Sequence, residues 1–102
     1  MSTNDVRLDG NLGQPVELNF TQTGKAVARM RVATSSVTNG KTFTEWHTVV
    51  AWEKLGESCK AKLEKGSRVS VVGRLQTRKY TDDDGVVRYP TEIVAHRVMQ
   101  DL

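Results

Sequence analysis

At 102 residues, with 37% hydrophobic and 26% charged side chains, the chain has the size and composition of one globular domain, residues 1–102, which excludes a second core and a disordered tract. Fifteen Lys and Arg against twelve Asp and Glu leave a net charge of +3, a mild excess that suits a polyanionic partner but is shared by many unrelated proteins. The start, Met1-Ser2-Thr3-Asn4-Asp5, has neither an apolar stretch nor an Arg- and Ser-rich amphipathic one, and the lone Cys59 cannot form an internal disulfide, so a reducing, cytoplasmic setting is expected.

A period of two dominates the pattern. Val6, Leu8, Gly10 and Leu12 alternate with Arg7, Asp9 and Asn11 in a half-buried first strand, which Gly13 to Pro15 breaks. A turn is expected at Thr23-Gly24. Over Ala26–Thr34, Ala28, Met30 and Val32 fall on one face and Val27, Arg29, Arg31 and Ala33 on the other. Asn39-Gly40 suits a tight hairpin turn, whose central residues need positive φ, and the next strand runs from Lys41 to Trp52. Between Glu53 and Lys65 the period changes: Leu55, Cys59 and Leu63 recur every four residues and predict a helix, with Gly56 weakening its first turn and Gly66 at the expected C-cap. Alternation returns from Ser67 to Tyr80, with Gly73 marking a bend or bulge. Asp84-Gly85 turns a second hairpin, and Arg88–Met99 is the last strand. Three strands, a helix and two strands predict an all-β domain, a five-stranded OB-fold Greek-key barrel with one α-helix between strands 3 and 4.

Trp46 and Trp52, six residues apart, share one strand face about 20 Å from each other. They are too far apart to stack together but suited to hold two separate bases of a nucleic-acid strand. A strand tryptophan is more often core; here Val49 and Ala51 offer a buried face on the opposite side. Tyr80 ends a face carrying Arg74, Gln76 and Arg78, with Lys79 adjacent. An aromatic ring for a base beside cations for phosphates fits nucleic acid, and a solvated hairpin arm fits the same residues equally well. Arg29 and Arg31 are either phosphate contacts or solubilising residues. No catalytic constellation stands out. His47, His96 and Cys59 lack metal-ligand spacing, and Asp82-Asp83-Asp84-Gly85 lacks the spaced ligands of a calcium loop. No enzyme activity, metal or cofactor is expected. Val27 and Val72 are outward apolar positions that hint at a subunit interface.

Several stretches in order resemble the bacterial single-stranded-DNA-binding protein family, from about Asn4 to Leu102: Gly10-Asn11-Leu12-Gly13, Ala26-Val27-Ala28 with Val32-Ala33-Thr34-Ser35, Thr44-Glu45-Trp46-His47, Lys65-Gly66-Ser67, and above all Gly73-Arg74-Leu75-Gln76-Thr77-Arg78-Lys79-Tyr80-Thr81-Asp82 with Gly85 and Arg88-Tyr89. The resemblance implies an OB-fold that assembles, usually as a homotetramer, and wraps single-stranded DNA without reading its sequence. It implies base stacking by Trp46, by Trp52 where relatives usually carry phenylalanine, and by Tyr80 where they usually carry tryptophan. His47 matches a subunit-interface histidine, and Lys54, Lys65, Arg78 and Lys79 match basic residues near DNA. There are departures. The loop Ser36-Val37-Thr38-Asn39-Gly40 is shortened and lacks a further stacking tryptophan, Thr48 and Gln76 stand where arginine is frequent, and Arg29 and Arg31 replace uncharged residues. The flexible linker and acidic tail that recruit partner enzymes in the family are not found before Leu102.

Taken together, these features lead to the expectation of sequence-independent binding and protection of single-stranded DNA in replication, recombination or repair, in a cytoplasmic, nucleoid-associated homo-oligomer (tetramer, or else dimer). Trp46, Trp52 and Tyr80 would stack, and Arg29, Arg31, Lys54, Arg74, Arg78, Lys79 and Arg88 would meet phosphates. The alternatives are a tail-less adaptor of a primosome or replication complex, in which protein contacts dominate, and a specific RNA binder or small enzyme.

Overall fold

A computed structural model describes residues 2–101. Along them the elements run β1 (Val6–Leu12), β2 (Glu17–Phe20), β3 (Ala26–Thr38), β4 (Lys41–Trp52), α1 (Glu53–Lys62), β5 (Arg68–Thr77), β6 (Tyr80–Thr81), β7 (Val87–Arg88) and β8 (Thr91–Gln100). β1 pairs with β5 on one side. On the other, Asn11 opposite Ala33 and Leu12 opposite Val32 join it to β3. With β8 between β5 and β4, and β4 paired to β3, the ring β1-β5-β8-β4-β3 closes. The β4–β8 contact is parallel and the other ladders antiparallel. This is the predicted five-stranded OB barrel.

The alternation places the core where the sequence pattern predicts it. Ala28, Met30 and Val32 from β3, Val49 and Ala51 from β4, and Val69 and Val71 from β5 are each at most 1% exposed. Burying each valine or methionine contributes roughly 1.5–3 kcal/mol, so the barrel interior is the main stabilising unit. α1 lies against β3 and β4 and plugs the barrel with Cys59 and Leu63, both buried. Burial pushes the Cys59 thiol upward, which keeps it protonated and inert.

Several expectations change in detail. The break at Gly13–Pro15 separates β1 from an additional short strand, β2, so the helix follows the fourth strand rather than the third. β2 is hard to see in the sequence because only Leu18 is half-buried and its other residues are exposed. The helix ends at Lys62, three residues early. Leu63 is its C-cap in an extended conformation, its N–H donating to the Cys59 carbonyl, and Gly66 (φ +91°) turns the chain beyond it. The long Ser67–Tyr80 segment is two strands with the expected bulge between Val72 and Gly73. The last strand is likewise cut at Tyr89-Pro90, because proline has no N–H for the ladder. Val27 is not uncovered: it is 8% exposed, flanked across the sheet by Trp52 and Asn19. Val72 is half-buried. The single chain therefore already covers one of the two positions that hinted at an interface.

Asn39 and Gly40 both adopt positive φ (52° and 76°), as a tight hairpin turn requires. The ladder from Val27–Trp52 to Thr38–Lys41 runs without a break, so β3 and β4 extend beyond the barrel as an arm.

Candidate nucleic-acid interface

One face of the sheet continues across five strands. Glu17 (β2), Arg29 (β3), Val50 (β4), Val94 (β8) and Arg74 (β5) form a single cross-strand row, and residues two positions along each strand share its side. It is the outer face, because the adjacent Met30, Val49 and Ile93 are core. β4 therefore presents Trp46, Thr48, Val50 and Trp52 outward, as their even spacing predicts. Trp46 is 51% exposed, Trp52 41% and Tyr80 40%, so the core alternative for the two tryptophans is set aside.

Trp46 is supported as well as exposed. Its ring lies on Gly13: a Cβ at that position would overlap the ring carbons Cζ3 and Cη2. The Gly13 N–H donates to the Arg31 carbonyl at 3.0 Å, and the Arg31 guanidinium lies 5.9 Å from the Trp46 ring centroid, within cation–π range. The chain break at Gly13 is thus also the seat of an aromatic platform. Nothing in the sequence distinguishes that role from an ordinary turn.

Tyr80 is held at the other side of the face. The Arg78 guanidinium lies over its ring at 4.8 Å from the centroid, and the Arg78 N–H donates to the Pro90 carbonyl at 3.1 Å. Arg78 Nε also donates to Glu92 Oε1 at 3.0 Å, while Arg29 Nη1 donates to Glu92 Oε2 at 2.7 Å. The Glu92 side chain is only 9% exposed. Two guanidinium groups compensate the hydration that this nearly buried carboxylate loses. A cleft of about 260 Å³ runs past Arg29, Thr48, Arg78, Tyr80 and Glu92. A second, also about 260 Å³, lies at Gly13 and Trp46. Gln14 and Arg31 line both, so the two form one track from Trp46 to Tyr80.

The predicted cations separate into two groups. Arg29 and Arg78 share Glu92, and Arg88 Nε pairs with Asp82 Oδ2 at 3.0 Å. Arg31, Lys54, Arg74 and Lys79 are exposed and take part in none of the described ion pairs. Lys54 follows Trp52 in the first turn of α1, and Lys65 is exposed in the turn beyond it. Arg88 lies opposite Tyr80 on the β6–β7 hairpin. There the Asp82 carboxylate accepts the Asp84 and Val86 N–H groups; the Val86 N–H and the Arg88 guanidinium hold it below its ordinary range. The acidic run therefore forms a hairpin turn. His47 is half-buried on the face opposite the tryptophans, its Nε2 2.8 Å from Thr34 Oγ1. Glu92 was missed in the sequence, where an acid in an alternating strand looks like any solvated one.

The family model described as the single-strand binding protein family matches residues 3–100. The chain belongs to this family. Among curated relatives, the single-stranded DNA-binding protein of Xanthomonas campestris pv. campestris is 45% identical over an alignment of 100 residues that covers 93% of this chain and 58% of the relative. Its namesake from Xanthomonas axonopodis pv. citri is also 45% identical over 100 residues, with 56% of that protein covered. The chain thus spans somewhat more than half the length of these relatives. The resemblance noted in the motifs from Gly10 to Tyr89 is the family relationship itself. Among the described residues no group of three or more His, Cys, Asp or Glu could hold a metal ion, and no helix is long and apolar enough to cross a membrane.

Proposed function

We propose that this chain binds single-stranded DNA without reading its sequence, covering it during replication, recombination or repair. The observation that carries this reading is the outer-face track, on which exposed Trp46 and Tyr80 are each backed by an arginine and joined by a cleft that Arg31 lines throughout. Every base has a π-face, so stacking on Trp46, Trp52 and Tyr80 tolerates any sequence. Cations alongside neutralise the backbone. Stacking and charge together suffice for binding, so the activity calls for no reaction, metal or cofactor. The names of the two Xanthomonas relatives point the same way.

The working unit is a homo-oligomer, a tetramer by family resemblance, in the cytoplasm and associated with the nucleoid. Support for self-association comes from the arm, where Phe43 (53% exposed) shares with Glu45 and His47 the side away from the tryptophans. That side is available to a second copy while the track stays open to DNA.

Salt dependence tests the charge side of this reading. Each phosphate neutralised on a single strand contributes about −0.7 to the slope of log K against log salt. If Arg31, Lys54, Arg74 and Lys79 make the phosphate contacts, the slope for oligothymidine is about −3 per chain. A slope near zero would rule out the electrostatic half of the proposal.

A further inference from the structure

We infer that Glu92 is a positioning residue of the DNA-binding face, setting the orientation of Arg78, and through it Tyr80, while withholding part of the face's positive charge; this rests on the binding function proposed above. Glu92 lies on β8, between β5 and β4 in the sheet. From there its two oxygens hold arginines from two different strand segments, Arg78 just beyond β5 and Arg29 on β3. The Arg29 bridge crosses β4 on the side that carries Thr48 and Val50, between the two tryptophans. Glu92 therefore ties together the segment bearing Tyr80 and the strand bearing Arg31.

Two consequences follow from the geometry. First, the Arg78 guanidinium covers one side of the Tyr80 ring at 4.8 Å, which leaves the other side to a base. With Nε fixed on Glu92 and its backbone N–H on Pro90, Arg78 has little freedom to swing away, so the ring is preorganised for stacking. Second, Arg29, Arg78 and Glu92 carry a combined charge of +1 rather than +2. A phosphate arriving there competes with a carboxylate already in place. Glu92 thus trades electrostatic attraction for a fixed aromatic platform.

Glu92→Gln separates these effects, since it keeps the shape and one acceptor oxygen and removes the charge. Oligothymidine binding is measured for wild type and variant from low to high salt, with thermal unfolding alongside. The expected line for the variant is steeper by about 0.7, one more phosphate equivalent. At high salt, where attraction is screened and stacking dominates, the variant binds about fivefold more weakly, the lower end of a stacking loss. In a Tyr80→Ala background the same substitution still steepens the slope but causes no further high-salt loss. A uniform loss with an unchanged slope, or no change at all, would overturn the inference. Should Glu92→Gln fail to fold, Arg78→Lys decides: it keeps the charge and loses the planar stack, so an unchanged slope with about fivefold weaker binding at every salt supports the inference, and unchanged binding overturns it. Absence of oligothymidine binding by the wild type would instead defeat the functional reading itself.

Discussion

Trp46→Ala weakens oligothymidine binding by roughly five- to hundredfold and leaves the barrel folded. A base stacked on an aromatic ring contributes about 1–3 kcal/mol, and Trp46 has the most complete support of the three platforms, with Gly13 beneath it and Arg31 beside it. Its ring is half exposed, whereas the interior is formed by the oppositely directed Val49 and Ala51. Truncating the ring thus removes a binding surface without opening a cavity in the core. Anisotropy of a labelled oligothymidine measures the loss, and circular dichroism checks the fold. Gly13→Ala should act in the same direction, because its methyl group occupies the space of the ring and pushes it off its seat. Unfolding of Trp46→Ala would return Trp46 to the core and remove the basis for the platform.

Gly56→Ala lowers stability, although helix propensity alone predicts the reverse. Alanine in a helix interior is favoured over glycine by about 1 kcal/mol. At this position, however, the new Cβ would lie 2.5 Å from the Ala51 carbonyl oxygen and 3.2 Å from the Ala28 amide nitrogen. Both are backbone atoms of core strands and cannot swing aside, so α1 itself must lift from the barrel. Overpacking of this kind typically costs ~1–3 kcal/mol, and lifting the helix also loosens the plug formed by Cys59 and Leu63. A Cβ 2.5 Å from a backbone oxygen places the cost in the upper part of that range, so it exceeds the propensity gain by about 1–2 kcal/mol, or roughly 5–10 °C in Tm for a domain of this size. Differential scanning calorimetry at fixed protein concentration is the appropriate measurement. A raised Tm would mean that α1 stands further from β3 and β4 than described.

Gly56 also illustrates what a sequence pattern can and cannot carry. Helical period and strand alternation depend on near neighbours, which is why Leu55, Cys59 and Leu63 identified the inward face of α1 and Met30, Val32, Val49 and Ala51 the barrel core. The same parity placed Trp46 and Trp52 on one outer face. What alternation cannot carry is contact between segments far apart in the chain. Gly13 looked like a break and Gly56 like a weak point, yet each is a place where two distant segments touch. Arg29, Arg78 and Arg88 looked equivalent to Arg31 and Lys79 because their partners, Glu92 and Asp82, are recognisable only once the strands are paired. β2 escaped notice for a related reason: as an edge strand with one half-buried residue it has almost no apolar signature. The family motifs imply roles for His47 and Tyr80 on which spacing alone is silent.

The division among the cations sharpens the view of the site. Of seven predicted phosphate contacts, three are held by carboxylates and four are exposed outside the described ion pairs. A face with every arginine unpaired would bind any polyanion, duplex DNA included. With Arg29 and Arg78 tied to Glu92, the proposed binding would draw its discrimination more from the aromatic rings, which only an unstacked strand could reach.

Tryptophan emission on titration with oligothymidine at low salt tests this account most directly, with a duplex of equal length as the control. Trp46 lies on the proposed track and Trp52 is exposed on the same outer face, so base stacking there must alter tryptophan emission. The expected result is saturable quenching by the single strand, with little change from the duplex. Unchanged emission while the protein stays folded, or equal quenching by the duplex, would contradict the claim that Trp46 and Trp52 receive unpaired bases.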